Sequence, residues 1–150
     1  MFIKSKLFAL LVAVFFSLGA GAQSYVNNVP AVHGYDVVSY HTDKRPAKGN
    51  GHFVSEYEGA TYLFSNKKNK ELFDANPAKY VPAYGGYCAY GVSLGKKFDG
   101  DPEVWRVVDG RLYLNLDAGI QDEWFKNVQG HIRSVDKNWK DIATKSPASL

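Results

Sequence analysis

The stretch VWRVVDGRLYLNL, residues 104–116, alternates side-chain character on either side of Asp109-Gly110. Asp-Gly is a pair favoured in the two-residue type I′ turn, because both central positions need positive φ, so the stretch predicts a β-hairpin. Side chains point to opposite faces of a strand in turn, which places Leu112, Leu114 and Leu116 on one face and Arg111, Tyr113 and Asn115 on the other. Upstream, HFVSEYEGATYLFS (residues 52–65) predicts a second hairpin about Glu58-Gly59. Phe53, Ser55 and Tyr57 share one face there, as do Ala60, Tyr62 and Phe64.

Between the hairpins, NKKNKELFDA (residues 66–75) predicts a short helix capped by Ser65, with Leu72 and Phe73 inward, ending near Asn76 because Pro77 follows. After the second hairpin, Asp117 is placed to cap a helix that turns Ile120, Trp124, Phe125 and Val128 inward. Gly130 is expected to break it, and Ile132, Val135, Trp139 and Ile142 continue at helical spacing. VHGYDVV (residues 32–38) reads as a turn into a short extended segment, and residues 41–51 as a loop. The class these elements predict is α+β: a small antiparallel sheet of two β-hairpins, a short intervening helix, and C-terminal helices packed on one side. No repeat of twenty to fifty residues is apparent, although two hairpin-then-helix units recur in outline.

At the N-terminus, Lys4 and Lys6 precede an apolar run from Leu7 to Leu18 and then Gly19-Ala20-Gly21-Ala22. This pattern predicts a signal peptide over residues 1–22, cleaved before Gln23, and an exported protein, periplasmic or secreted. One domain is expected over residues 23–142 and a flexible tail over residues 143–150. No other segment has the length of apolar sequence that a membrane span needs. Loss of the leader lysines lowers the formal charge from +3 to about +1, which makes nucleic acid a poor partner.

The sole cysteine, Cys88, lies in YGGYCAYG (residues 84–91) among glycines and tyrosines. A single cysteine excludes an intrachain disulfide and a dithiol redox cycle, so stability rests on the core. Three uses of Cys88 stay open: a soft metal ligand, a buried small hydrophobe, or a reactive thiol. Tyr84, Tyr87 and Tyr90 are candidates to line a cofactor pocket, and a tyrosine-rich core layer is the plainer use of the same rings. FDGDPE (residues 98–103) lacks the ligand series of a calcium loop and reads as a turn.

GYDVVSY, the long segment from EYEGATYLFS through NPAKYVPAYGGYCAYG to RLYLNL, and DKNW resemble the YHS domain family in an exported, stand-alone, single-cysteine form, from about Val32 to Asp141. The resemblance implies a small α+β unit associated with metal handling, with TRASH-like modules as relatives. It also implies that the first hairpin packs against the GGYCAYG turn, which makes His52 the histidine expected to join Cys88 on a metal, copper or zinc ahead of haem. Relatives that bind metal use several cysteines, and one cysteine cannot form a complete thiolate cage. The function expected is therefore a binding module centred on Cys88 for a metal ion or small cofactor. The alternatives are a non-catalytic interaction domain, acting with a protein partner or as a homodimer, and a thiol-dependent redox or sulfur-carrier protein.

Overall fold

The computed structural model describes residues 29–150; the leader expected over residues 1–22 lies outside them. Both hairpins form where turn chemistry places them. Strand β1 (Asn50–Tyr57) pairs antiparallel with β2 (Ala60–Phe64), and β3 (Asp101–Val108) pairs with β4 (Arg111–Asn115). The turn residues all have positive φ: 49° and 77° at Glu58-Gly59, 50° and 78° at Asp109-Gly110. The α+β class holds, with the hairpins as two separate two-stranded sheets. Each hairpin lies instead on the tight turn that precedes it.

Among the described residues, six α-helices accompany the hairpins: α1 (Ser39–Thr42), α2 (Lys67–Ala75), α3 (Pro77–Tyr80), α4 (Ala89–Ser93), α5 (Ala118–Phe125) and α6 (Val128–Ile142). Asp117 caps α5 as expected, accepting from the Ile120 amide at 2.8 Å. Three local expectations are corrected. Asn66, rather than Ser65, caps α2, because the Ser65 hydroxyl is drawn to Asp36 at 2.6 Å. The chain breaks at Lys126-Asn127, and Gly130 lies inside α6, where the capping Asn127 side chain occupies the space that a Cβ would need. Residues 32–38 are extended only at Tyr35, which bridges to Lys48, before the chain turns into α1.

The two hairpin-then-helix units, expected to recur only in outline, correspond closely, at a spacing just beyond the twenty to fifty residues considered from sequence. Residues 30–75 and 82–125 run through the same elements in the same order: a left-handed turn, a one-turn helix, a bulged hairpin and a side-chain-capped helix. Val32 and His33 adopt (51°, 41°) and (51°, 27°); Tyr84 and Gly85 adopt (56°, 37°) and (65°, 16°). The Asp36 amide donates to the Ala47 carbonyl at 2.8 Å, and the Cys88 amide to the Phe98 carbonyl at 2.9 Å. The strand registers correspond throughout: Asn50 to Phe64 and Val54 to Leu63 in one hairpin, Asp101 to Asn115 and Trp105 to Leu114 in the other, with the register shift at the same place. Even the core rings recur, with Tyr62 tilted 36° on Phe73 and Tyr113 tilted 37° on Trp124.

Two apolar clusters result, and β4 joins them. Leu112 and Leu114 pack with Val37, Tyr40, Phe64 and Phe73, while Tyr113 on the opposite face packs with Trp124 and the inner side of α6. Both faces of β4 are thus buried, in contrast to a hairpin with one solvated face. Leu116, expected to share a face with Leu112 and Leu114, follows the end of β4 and is exposed, as is Phe125, expected to turn inward. Lys97 reaches past the end of α6 to donate to the carbonyls of Ala143 and Lys145 at 2.7 and 2.8 Å, with the rings of Tyr87 and Trp139 about its ammonium. A cation at a helix C-terminus is favourably placed, and the contact engages Ala143 and Lys145 at the start of the segment expected as a flexible tail. Leu150 packs against the second cluster. Among the described residues, no helix is long and apolar enough to cross a membrane.

Asp36 is fully buried and accepts from the Val38 amide at 2.9 Å, the Ser65 amide at 2.9 Å, the Ser65 hydroxyl and the Asn69 side-chain amide at 2.7 Å. Asp36→Asn would set an NH2 group against one of these donor sets; urea unfolding should show a loss of about 3 kcal/mol, and a loss under about 1 would refute the tie. Burial lowers the pKa of His41 below its ordinary 6.5, with Lys44 and Lys79 adding to the shift. Above that pH both folded and unfolded chains hold a neutral ring; below it the unfolded chain takes the proton first, so stability should fall as acid is added. Thermal melts from pH 7 to pH 5.5 should drop more steeply for the wild type than for His41→Phe, and equal slopes would refute the assignment.

Candidate functional site

The Cys88 side chain is set by the second turn. Gly85 and Gly86 follow Tyr84 with φ of 65° and 84°, and the chain then bends so that Cys88 becomes the N-cap of α4. Its sulfur accepts from the Gly91 amide at 3.4 Å and, as a thiol, donates to Asn115 Oδ1 at 3.7 Å. The same Asn115 oxygen accepts from the Tyr90 amide at 3.2 Å, which orients the side chain; its Nδ2 is buried with no partner among the described residues. Cys88 and Asn115 are both fully buried. Protonated sulfur satisfies both contacts, whereas a thiolate would face a carbonyl oxygen.

Above the thiol lies a groove of about 230 Å³ with Cys88 at its floor. Tyr90 and Gly91 of α4 form one side; Leu94, Phe98, Leu116 and Ile120 form the rest, and no polar atom is presented to the space. The Phe98 ring closes directly over Gly91, where an added Cβ would come within 2.7 Å of Cδ2. Glycine here serves the close approach of a ring rather than an unusual φ. Leu94, Phe98 and Leu116 are 60%, 47% and 40% exposed and form the rim.

Of the residues singled out from sequence, Cys88 and Tyr90 meet at this groove. Tyr84 and Tyr87 pack on Trp139 of α6, at ring separations of 5.7 and 6.3 Å. Tyr84 also donates to Asp136 at 2.8 Å under the Arg111 guanidinium, and burial, with that bond, holds its hydroxyl protonated well above the ordinary tyrosine range. His52 stands exposed near the start of β1. The second hairpin, not the first, packs on the GGYCAYG turn, since each hairpin covers the turn of its own unit. Among the described residues, no three His, Cys, Asp or Glu side chains converge as a metal site. Ser93 and His131 approach to 3.4 Å, yet the serine proton goes to the Tyr90 carbonyl at 2.6 Å, so the pair is not arranged as nucleophile and base.

Sequence reading missed Asn115, Leu94, Phe98 and Leu116 as site residues and took Ile120 for core. Setting GATYLFSN beside GRLYLNLD would have found two of the positions, since that alignment puts Leu116 opposite Ser65 and Asn115 opposite Phe64.

The family model of the YHS domain matches residues 38–84. This stretch covers most of the first unit and ends before Cys88, so the groove lies outside it. No curated protein and no solved structure matches the chain.

The double use of the Cys88 sulfur makes a specific ordering of variants. Cys88→Ser retains a donor and an acceptor, whereas Cys88→Ala leaves the Gly91 amide without its cap, so alanine should cost about 1 to 2 kcal/mol and serine less. In the native state the thiol should also react with Ellman's reagent at least tenfold more slowly than in urea. Immediate native labelling would contradict the buried cap.

Proposed function

We propose that the chain is an exported, non-catalytic binding module whose site is the groove over Cys88 and whose ligand is a small apolar molecule. The observation that carries this reading is a 230 Å³ concavity of purely apolar surface, rimmed by three exposed large side chains. Folded domains rarely leave such side chains clustered about a hollow without a use for them. The volume suits a compact ligand: an engineered apolar cavity of about 150 Å³ takes up benzene. Export rests on the charged, apolar and small-residue pattern of residues 1–22.

A second reading is favoured by the YHS match, since that family is often linked to metal binding. It places a soft ion such as Cu(I), or zinc, on Cys88, which would then give up its contact to Asn115 and need ligands from a rearranged chain or another molecule.

Protein recovered from the exported fraction should begin at Gln23 and show saturable toluene binding by NMR titration, with shifts confined to α4, α5 and the Phe98 region. Leu116→Asp, at an exposed position, should fold normally and weaken binding at least tenfold. Unsaturable or dispersed shifts would sink the apolar-ligand reading. Stoichiometric copper or zinc in the wild type, lost in Cys88→Ala, would replace it with the metal reading, and retention of Met1 would refute export.

A further inference from the structure

We propose that residues 82–125 are a second, diverged copy of the unit formed by residues 30–75, and that the groove is the opened counterpart of the sealed Asp36 cluster, with Leu116 and Ile120 as its specificity-determining residues. The inference deepens the reading of the groove as a ligand site and rests on it.

The correspondence is residue by residue. Pro30, Ala31, Gly34 and Tyr35 recur as Pro82, Ala83, Gly86 and Tyr87; Gly49, Gly59, Tyr62 and Leu63 recur as Gly100, Gly110, Tyr113 and Leu114. The two glycines that precede β1 and β3 meet the same neighbour, for a Cβ at Gly49 would strike Leu63 and one at Gly100 would strike Leu114. Helix caps coincide as well: Asn66 accepts from the Asn69 amide and Asp117 from the Ile120 amide.

This alignment puts Asp36 opposite Cys88, Ser65 opposite Leu116, Asn69 opposite Ile120 and Ala47 opposite Phe98. In the first unit those positions fill their own space. Ser65 and Asn69 turn their donors onto the Asp36 carboxylate, and Asn69 is 4% exposed. In the second unit no carboxylate is present to draw the side chains in, and Leu116 and Ile120 have no donors to give. Leu116 therefore lies out at 40% exposed, and the volume over Cys88 stays open. One scaffold thus holds a polar, filled site that fastens structure and an apolar, unfilled one that admits a ligand. The orphaned Asn115 Nδ2 beside the thiol fits this history, because the corresponding residue in the filled unit is Phe64, a core ring with no polar group to satisfy.

Reciprocal transplants test the proposal. Cys88→Asp/Leu116→Ser/Ile120→Asn should fold, should slow hydrogen exchange at the residue 116 amide at least tenfold through a bond like that of Ser65 to Asp36, and should abolish toluene binding. Asp36→Cys/Ser65→Leu/Asn69→Ile, on the full chain, should bind two toluene molecules instead of one. A folded first variant with unchanged exchange at residue 116 overturns the correspondence, as does failure of both chains to fold. If only one folds, its own readout decides. Absence of toluene binding in the wild type would sink the ligand reading while leaving the exchange measurement to judge the correspondence.

Discussion

A buried carboxylate, Asp36, with no ion-pair partner among the described residues, organises the first half of the molecule. Desolvation of Asp36 is tolerable only because four neutral donors from three places in the chain converge on it. The donors lie on the segment entering α1, at the end of β2 and on α2. A single group thereby fastens the left-handed turn to its hairpin and the hairpin to its helix. The strain of Val32 and His33 at positive φ is held in place by that tie and by the apolar cluster above it.

The second half has the same backbone and a weaker polar centre. Cys88 makes two long sulfur contacts where Asp36 makes four short ones, and the helix α6 and Lys97 supply the closure that the polar cluster supplies in the first half. Strand β4 couples the halves, with Leu112 and Leu114 in one cluster and Tyr113 in the other. A surface left open in the second half therefore stands on a support that both clusters hold rigid. Such a support suits a preformed site, where little ordering free energy is lost on binding.

Local chemistry was legible in the sequence, and long-range pairing was not. Glu58-Gly59 and Asp109-Gly110 define their turns by themselves, and Pro77 ends α2 by itself. Ser65 was misjudged as a cap because nothing in its neighbourhood reveals a carboxylate at Asp36, far back along the chain. Leu116 does not continue the face of Leu112 and Leu114 because alternation holds only while the strand does, and β4 ends at Asn115. The choice of hairpin over Cys88 could not follow from order alone: both are adjacent in sequence to some turn. Sequence shows the repeat only in outline because its shared residues are a few glycines, prolines and tyrosines, an alanine and a leucine, scattered about fifty residues apart with a change of one in spacing.

Xenon pressurisation of crystals of the protein distinguishes an open groove over Cys88 from a filled Asp36 cluster, since xenon enters apolar cavities without needing a particular shape or polar partner. One xenon atom is expected above Cys88, enclosed by Phe98, Leu116 and Ile120, and none at the Asp36 cluster of the first unit. Xenon at the Asp36 cluster, or a groove that remains empty while other cavities fill, would contradict this contrast.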